Sequence, residues 1–428
     1  MNKREFIRNF GLLSTSVAIA PSFGFKNLQN IPNSGFEVNH EGEQKPVPIT
    51  LRDKFLGCIA GSWVGSAMGA VVEGWPQEKI KATYGTLNQL LPYKHYIEYV
   101  DWQSPAGATE DGIERQKLIS TAIIEKKDRI LAQDLATIWA RDLDPDKMVY
   151  KQEPFDRSLL LLIKAGLPGV ELGRLSPFLN IISVARSSHP LGLINAGDPQ
   201  GAADDSFEVG KLYLPETAFA LRWAALYNAG IAEACKPNAT VASVIDTVKH
   251  FASYRAETGG LYTGVKVEKF AYDTIEKEVN RAFELAEKYN DPEQLREEFN
   301  KIFFGGFYLT YGVATANEIV AKGLAIFALH KGDPREAIIT AVNFGRDTDC
   351  LAAIAGGLSG ALSGTSKIPK EWMDQVNIAT VQDPYTNNKR SMDETAEGLF
   401  QAYLARRMKT KEYLDSMGDE AFLKSSRK

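Results

Sequence analysis

From about residue 51 onward, apolar positions recur at helical spacing, and the elements they predict are almost all helices. Residues 55–72 begin with clear periodicity and then carry glycines at 57, 61, 65 and 69, the pattern of a helix pressed closely on a neighbour rather than exposed. Residues 113–125 and 132–141 predict amphipathic helices, 217–234 an Ala/Leu-rich helix with aromatics at helical spacing, and 241–254 another of that kind. Asp333-Pro334-Arg335-Glu336 has the N-cap, proline and N3 glutamate of a helix start, and Asp291-Pro292-Glu293 repeats the cap and proline. Between 266 and 300, apolar Phe270, Ile275, Val279, Phe283 and Leu285 punctuate a charged stretch, predicting a helical pair with one face in solvent. The small-residue run 352–364 is too short to pair in a membrane and predicts close packing inside a soluble core.

A chain of 428 residues can bury a large core, and length alone allows two or three domains. No linker or low-complexity run divides the middle, so one large domain is expected over 49–405, followed by a charged tail at 406–428. The net charge of −5, with acids and bases intermixed, gives no basic footprint for nucleic acid. Cys58, Cys235 and Cys350 are too few and too scattered for a disulfide framework. The N-terminus is basic at Lys3, Arg4 and Arg8, with a short apolar run at 11–20. This predicts an export signal over residues 1–25, similar to the twin-arginine type in relaxed form, a flexible leader over 26–48 and a periplasmic location. The run is too short for a membrane span.

Candidate chemistry gathers in three acidic tracts. Asp347, Thr348 and Asp349 precede the small-residue run, and two carboxylates so close repel unless a cation or strong donors intervene. Thr109, Glu110 and Asp111 stand just before the predicted helix 113–125, and Glu73 follows the glycine-spaced segment. Oxygen donors of this kind suit magnesium, manganese or calcium. Zinc is disfavoured, because the five histidines show no ligand spacing.

With these three tracts in this order, the chain from about residue 51 to 372 resembles the ADP-ribosylglycohydrolase family, which includes ADP-ribosylarginine hydrolases and dinitrogenase reductase activating glycohydrolases. The resemblance implies an all-α fold, an orthogonal helical bundle with a dinuclear metal cleft holding one or two Mg2+ or Mn2+ ions. Carried over by position, Thr109, Glu110, Asp111, Asp347 and Asp349 are the implied metal ligands, and Glu73, Glu110 and Asp111 the implied catalytic acids. Cys350 stands where the family places a metal-binding threonine, and a thiol is a poor partner for a hard cation. Glu110 replaces an aspartate, Arg346 a glycine and Ser66 an aspartate, while Leu212-Tyr213 lies near where the family often has a Thr-His pair.

Asn195 and Gly197 fall where the family has a loop that meets the ribose; an Asx turn with Asp198-Pro199 opening the next helix reads the same residues as well. Trp102 is expected to wall the sugar site, and Arg346 to pair with an acid or a substrate anion. His189 reads as a loop hydrogen-bonder, and Asp204-Asp205 as a solvated helix face. The implied reaction is attack of a cation-positioned water on the anomeric carbon of an ADP-ribosyl, ribosyl or other furanosyl conjugate, with Glu73 or Glu110 accepting a proton. Expected export, and the few cations near the tracts beyond Arg346 and Arg115, favour a small-molecule glycoside or ribosyl conjugate other than ADP-ribose itself. A catalytically degenerate metal- or sugar-binding protein is the alternative.

Overall fold

The structure, a computed structural model, describes residues 49–94, 103–148, 154–255, 267–303 and 314–417. The expected export signal and leader lie outside them. Among the described residues the chain is all-α apart from one short ribbon. Its helices run α1 (Leu51–Gly69), α2 (Gln77–Tyr84), α3 (Asp111–Lys126), α4 (Ala132–Asp142), α5 (Pro154–Lys164), α6 (Gly169–Leu172), α7 (Ser183–Ser187), α8 (His189–Ile194) and α9 (Pro199–Gly210). They continue with α10 (Phe219–Ala234), α11 (Val241–Phe251), α12 (Val267–Lys288), α13 (Pro292–Phe303), α14 (Ala316–Leu329), α15 (Pro334–Val342), α16 (Thr348–Ser363), α17 (Lys370–Gln382) and α18 (Met392–Ser416). The ribbon pairs β1 (Tyr93–Lys94) with β2 (Gln103–Ser104) in antiparallel register, Tyr93 opposite Ser104.

The pair α1 and α16 forms the centre. Glycines every fourth residue on α1 face the backbone of α16 running the other way. A Cβ at Gly57 would lie 2.4 Å from the Gly360 carbonyl oxygen, one at Gly61 2.1 Å from that of Gly356, one at Gly65 2.3 Å from that of Ala352, and one at Gly69 2.4 Å from that of Thr348. Only a missing side chain lets two helices approach so closely, and the resulting interface has no slack. With the 3-10 turn Ala70–Val72, α1 is apolar and long enough to cross a membrane. It is instead buried along its length by α15, α16, α17 and α18.

A buried polar chain ties the centre to its surroundings. Trp63 Nε1 donates to Gln116 Oε1 at 2.6 Å, and Gln116 Nε2 donates to Ser62 Oγ at 3.1 Å and to His189 Nδ1 at 3.0 Å. His189 Nε2 faces the Tyr227 hydroxyl at 2.8 Å and the Ala353 carbonyl at 3.2 Å, while Tyr227 donates to the Ile354 carbonyl at 2.9 Å. A neutral imidazole protonated on Nε2 accounts for every one of these contacts. Burial pushes the His189 pKa down to about 4.

The predicted helices are present with shifted ends. The expected 113–125 is Asp111–Lys126, 217–234 is Phe219–Ala234, and 241–254 stops at Phe251. Asp333 caps α15, accepting from the backbone N–H of Arg335 and Glu336, as its position before Pro334 predicts. The charged 266–300 stretch is the pair α12 and α13, with Ile275 and Val279 buried. The last helix continues to Ser416 through the first part of the stretch read as a charged tail.

Candidate active site

Asp347 is the N-cap of α16, its side chain accepting the Cys350 backbone N–H at 3.3 Å, and Asp349 stands in the first turn. Both are 2% exposed. The helix dipole favours anions at this end, but by far less than burial and mutual repulsion cost two carboxylates. Thr348 is spent on structure, donating to the Gly69 carbonyl at 2.7 Å.

Glu73 is delivered by the other central helix. After the 3-10 turn the chain extends at Glu73, and Gly74 adopts φ +75°. Two backbone bonds then lock this turn to the loop before α16. The Gly74 N–H donates to the Arg346 carbonyl at 2.8 Å, and the Arg346 N–H to the Trp75 carbonyl at 2.9 Å. Glycine is required at 345, where φ is +77° and a Cβ would meet the Gln77 backbone nitrogen at 2.8 Å. The third tract enters at the start of α3. Tyr93 donates its hydroxyl to Glu110, and the Glu110 backbone N–H reaches Ser66 Oγ at 3.4 Å. The methylene that distinguishes Glu110 from the family's aspartate thus lies between the backbone and a fixed phenol.

The electrostatics follow from this convergence. Burial, and then the charges of Asp349, Glu110, Asp347 and Asp111, hold the Glu73 carboxyl well above the usual range. Burial and Asp349 do the same to Asp347. Burial, then Glu110, raises the Tyr93 phenol. Asp347 Oδ2 and Asp349 Oδ1 are buried with no hydrogen-bond partner among the described residues. Two orphaned carboxylate oxygens amid further acids are what a hard divalent cation would satisfy, so the donor set fits Mg2+ or Mn2+. Asp347, Asp349 and Cys350 can each offer one atom within 4.8 Å of the others. The Cys350 thiol, raised by burial, lies 3.0 Å from Arg186 Nη1.

Arg186, on α7, is the residue that sequence reasoning missed. It is 6% exposed, and its Nη2 pairs with Asp111 Oδ2 across 75 positions of chain. The signal available was a lone arginine among Val184, Ala185, Ser187 and Ser188, small or apolar neighbours that imply burial and therefore an anionic partner.

Other expected site residues go elsewhere. Asn195 is fully buried, donating to the Leu191 carbonyl at 2.9 Å and to Asp205 Oδ2 at 2.6 Å and accepting from Arg406 at 2.7 Å, so its amide is committed to the fold. The Gly197 N–H is used by the Ala232 carbonyl at 2.9 Å, and Asp198 caps α9 with Pro199 at its start, the Asx reading of this segment. Arg346 pairs with buried Glu318 at 2.7 and 2.9 Å, and Glu318 also takes Lys322 at 2.6 Å. Arg115 is buried against Asp156 at 2.7 Å. Asp205 is not solvated but 3% exposed, held by Arg129 at 2.6 Å. His189 is a core residue that opens α8. Trp102 lies outside the described residues.

Comparison with known proteins agrees with the all-α fold. A sequence model of the ADP-ribosylglycohydrolase family matches residues 47–408. The Escherichia coli protein YegU is 26% identical over 344 residues, 76% of this chain and 93% of its own length. ADP-ribosylarginine hydrolase Tri1 of Serratia proteamaculans is 49% identical over a local 41 residues, 10% of this chain and 11% of Tri1. A solved structure of an ADP-ribosylglycohydrolase-related protein complex aligns over 82% of this chain and 99% of its own, with a TM-score of 0.53 and 18% identity, which speaks for the fold alone. Its three acidic tracts on one all-α frame, and a family match over most of its length, make this chain a member of the ADP-ribosylglycohydrolase family of hydrolases.

Proposed function

We propose that this chain is a divalent-cation-dependent glycohydrolase that uses water to cleave the anomeric bond of a ribosyl or related furanosyl conjugate. The observation that carries this reading is the buried carboxylate cluster, with Asp347 Oδ2 and Asp349 Oδ1 left unpartnered beside Glu73. Asp347, Asp349, Thr109 and Glu110 would hold the cation. Bound there, Mg2+ or Mn2+ supplies Lewis-acid polarisation and a template for vicinal sugar hydroxyls.

The chain's own residues do the rest. Glu73 would be ionised once the cation offsets the charges of its neighbouring carboxylates, and it then accepts a proton from the attacking water. Tyr93 fixes the orientation of Glu110, and Arg186 that of Asp111. The carboxylates together favour the positive charge that develops on the sugar as the glycosidic bond breaks. Arg346 is already engaged by Glu318, which supports a substrate lacking the diphosphate of ADP-ribose. The basic N-terminus and its apolar run support export.

The test is product release from a panel of ADP-ribosyl-arginine, ribosyl-arginine and simple nucleosides, with Mn2+, Mg2+ or chelator. Cleavage that needs the cation and falls by about two to four orders of magnitude in Glu73→Gln is the expected result. Unchanged turnover in that variant would remove Glu73 from the mechanism. Cation and sugar binding without cleavage of any conjugate would instead make the chain a binding protein.

A further inference from the structure

Two sides of the acidic cluster differ. On one, Asp347 Oδ2 and Asp349 Oδ1 are buried and unpartnered. On the other, positive charge is already built in. Arg186 Nη2 pairs with Asp111 Oδ2, and Nη1 lies 3.0 Å from Cys350 Sγ. This guanidinium is held in place. Its stem runs so close to α3 that a Cβ on Gly112 would lie 2.8 Å from Arg186 Cδ, and its backbone N–H is bonded to the Ile182 carbonyl at 3.2 Å.

We infer that Arg186 stands where a second cation would sit, so that this site takes one divalent ion, on the side of Asp347, Asp349 and Glu73, beside a fixed guanidinium. The inference rests on the cation-dependent reading above. A guanidinium keeps its charge under all ordinary conditions and repels a divalent ion brought up to Asp111 or Cys350 in this buried setting. Cys350 works in the same direction, because a thiol offers a hard cation far less than the hydroxyl of a threonine. The consequence for the site is chemical. Arg186 presents N–H donors and no open coordination position, so it can hold a substrate oxygen by hydrogen bonds but cannot draw two hydroxyls onto one centre.

The experiment is Mn2+ titration of the full chain by calorimetry, with the electron paramagnetic resonance spectrum recorded at each step. One equivalent is expected, with the resolved hyperfine pattern of an isolated ion. Two equivalents, or a spin-coupled spectrum from neighbouring ions, would overturn the inference while leaving the cation-dependent reading intact. No binding at all would overturn both. The double variant Arg186→Met with Cys350→Thr is expected to gain a second equivalent and spin coupling, and Arg186→Lys with native Cys350 to stay at one. A folded double variant that still binds a single ion shows that Arg186 does not exclude the second, and the inference fails.

Discussion

Thr348 donates its hydroxyl to the carbonyl oxygen of Gly69 at 2.7 Å. That bond joins the last turn of α1 to the first turn of α16, and Glu73 and Asp349 each lie within a few residues of it. The position of the acidic cluster is therefore a property of one helix pair, and the pair depends on glycine. Gly65→Ala would drive a methyl group to 2.3 Å from the Ala352 carbonyl oxygen, where backbone on both sides must move. A cost of about 3 kcal/mol is expected in denaturant titration, the upper range for overpacking. Mn2+ affinity should weaken as well. Gly230→Ala is the control: its new methyl would meet side-chain rather than backbone atoms, Val248 Cγ2 at 3.0 Å, and needs a shift of only a few tenths of an ångström. If the two variants lose equal stability, the helix pair is less rigid than its geometry implies.

Glu73 sits among four other carboxylates, and its raised proton affinity means that ionising it destabilises the cation-free fold. The folded chain binds more protons than the unfolded chain above the ordinary value of 4.5, so this group lowers stability as pH rises through that region. Glu73→Gln removes the effect. The cation-free variant is expected to melt higher than wild type at neutral pH while losing turnover. A lower melting temperature would mean that the carboxylate has a stabilising partner.

Cation binding should stabilise the native chain by linkage. At a hundredfold excess over Kd the gain is about 2.7 kcal/mol for one site, read as a rise in Tm that chelator reverses. Thr348→Val keeps the branched shape but leaves the Gly69 carbonyl without its donor. It should lower both basal stability, by about 1 kcal/mol, and the size of the Mn2+-dependent rise. A variant with the full Mn2+-dependent rise would show that this bond does not shape the site.

Much of this was legible in the sequence because it is local. The fourfold glycine spacing announced a close helix pair, Asp333-Pro334 announced a helix start, and the three acidic tracts announced carboxylates that converge around Glu73, each from residues adjacent in the chain. What was not legible depends on closure over distance. Arg186 meets Asp111 across 75 positions, and Arg129 meets Asp205 across 76, so local pattern can mark an arginine such as Arg186 as buried but cannot name its partner. Asn195 illustrates the opposite error. A polar residue beside a glycine looks available to a ligand, yet three hydrogen bonds already use its amide.

That placement is testable. Asn195→Ala takes a donor from the buried Asp205 carboxylate and an acceptor from the partly exposed Arg406 guanidinium. A loss of about 1–3 kcal/mol is expected, the cost of leaving such groups unsatisfied. Substrate KM should not change, whereas a raised KM with unchanged stability would return Asn195 to the sugar site.

His189 gives the fold a dependence on acid that is separate from the carboxylate cluster. Its pKa is about 4 in the folded chain, where burial holds the ring neutral, against 6.5 when the chain is unfolded. Between these values the unfolded state binds the extra proton, so stability is complete above about 6.5 and falls as pH drops toward 4. The full loss is about 3 kcal/mol. The ring's polar neighbours, Gln116 and Tyr227, offer no negative charge to offset a proton. His189→Gln removes the titration at the cost of the contacts to Tyr227 and Ala353, so the variant starts less stable at neutral pH and loses less on acidification. Urea titrations of both proteins at several pH values should show the gap between them narrowing by about 3 kcal/mol from pH 7 to pH 4. A gap that stays constant would mean that His189 takes up its proton over the same pH range in the folded and the unfolded chain, so that burial does not hold the ring neutral.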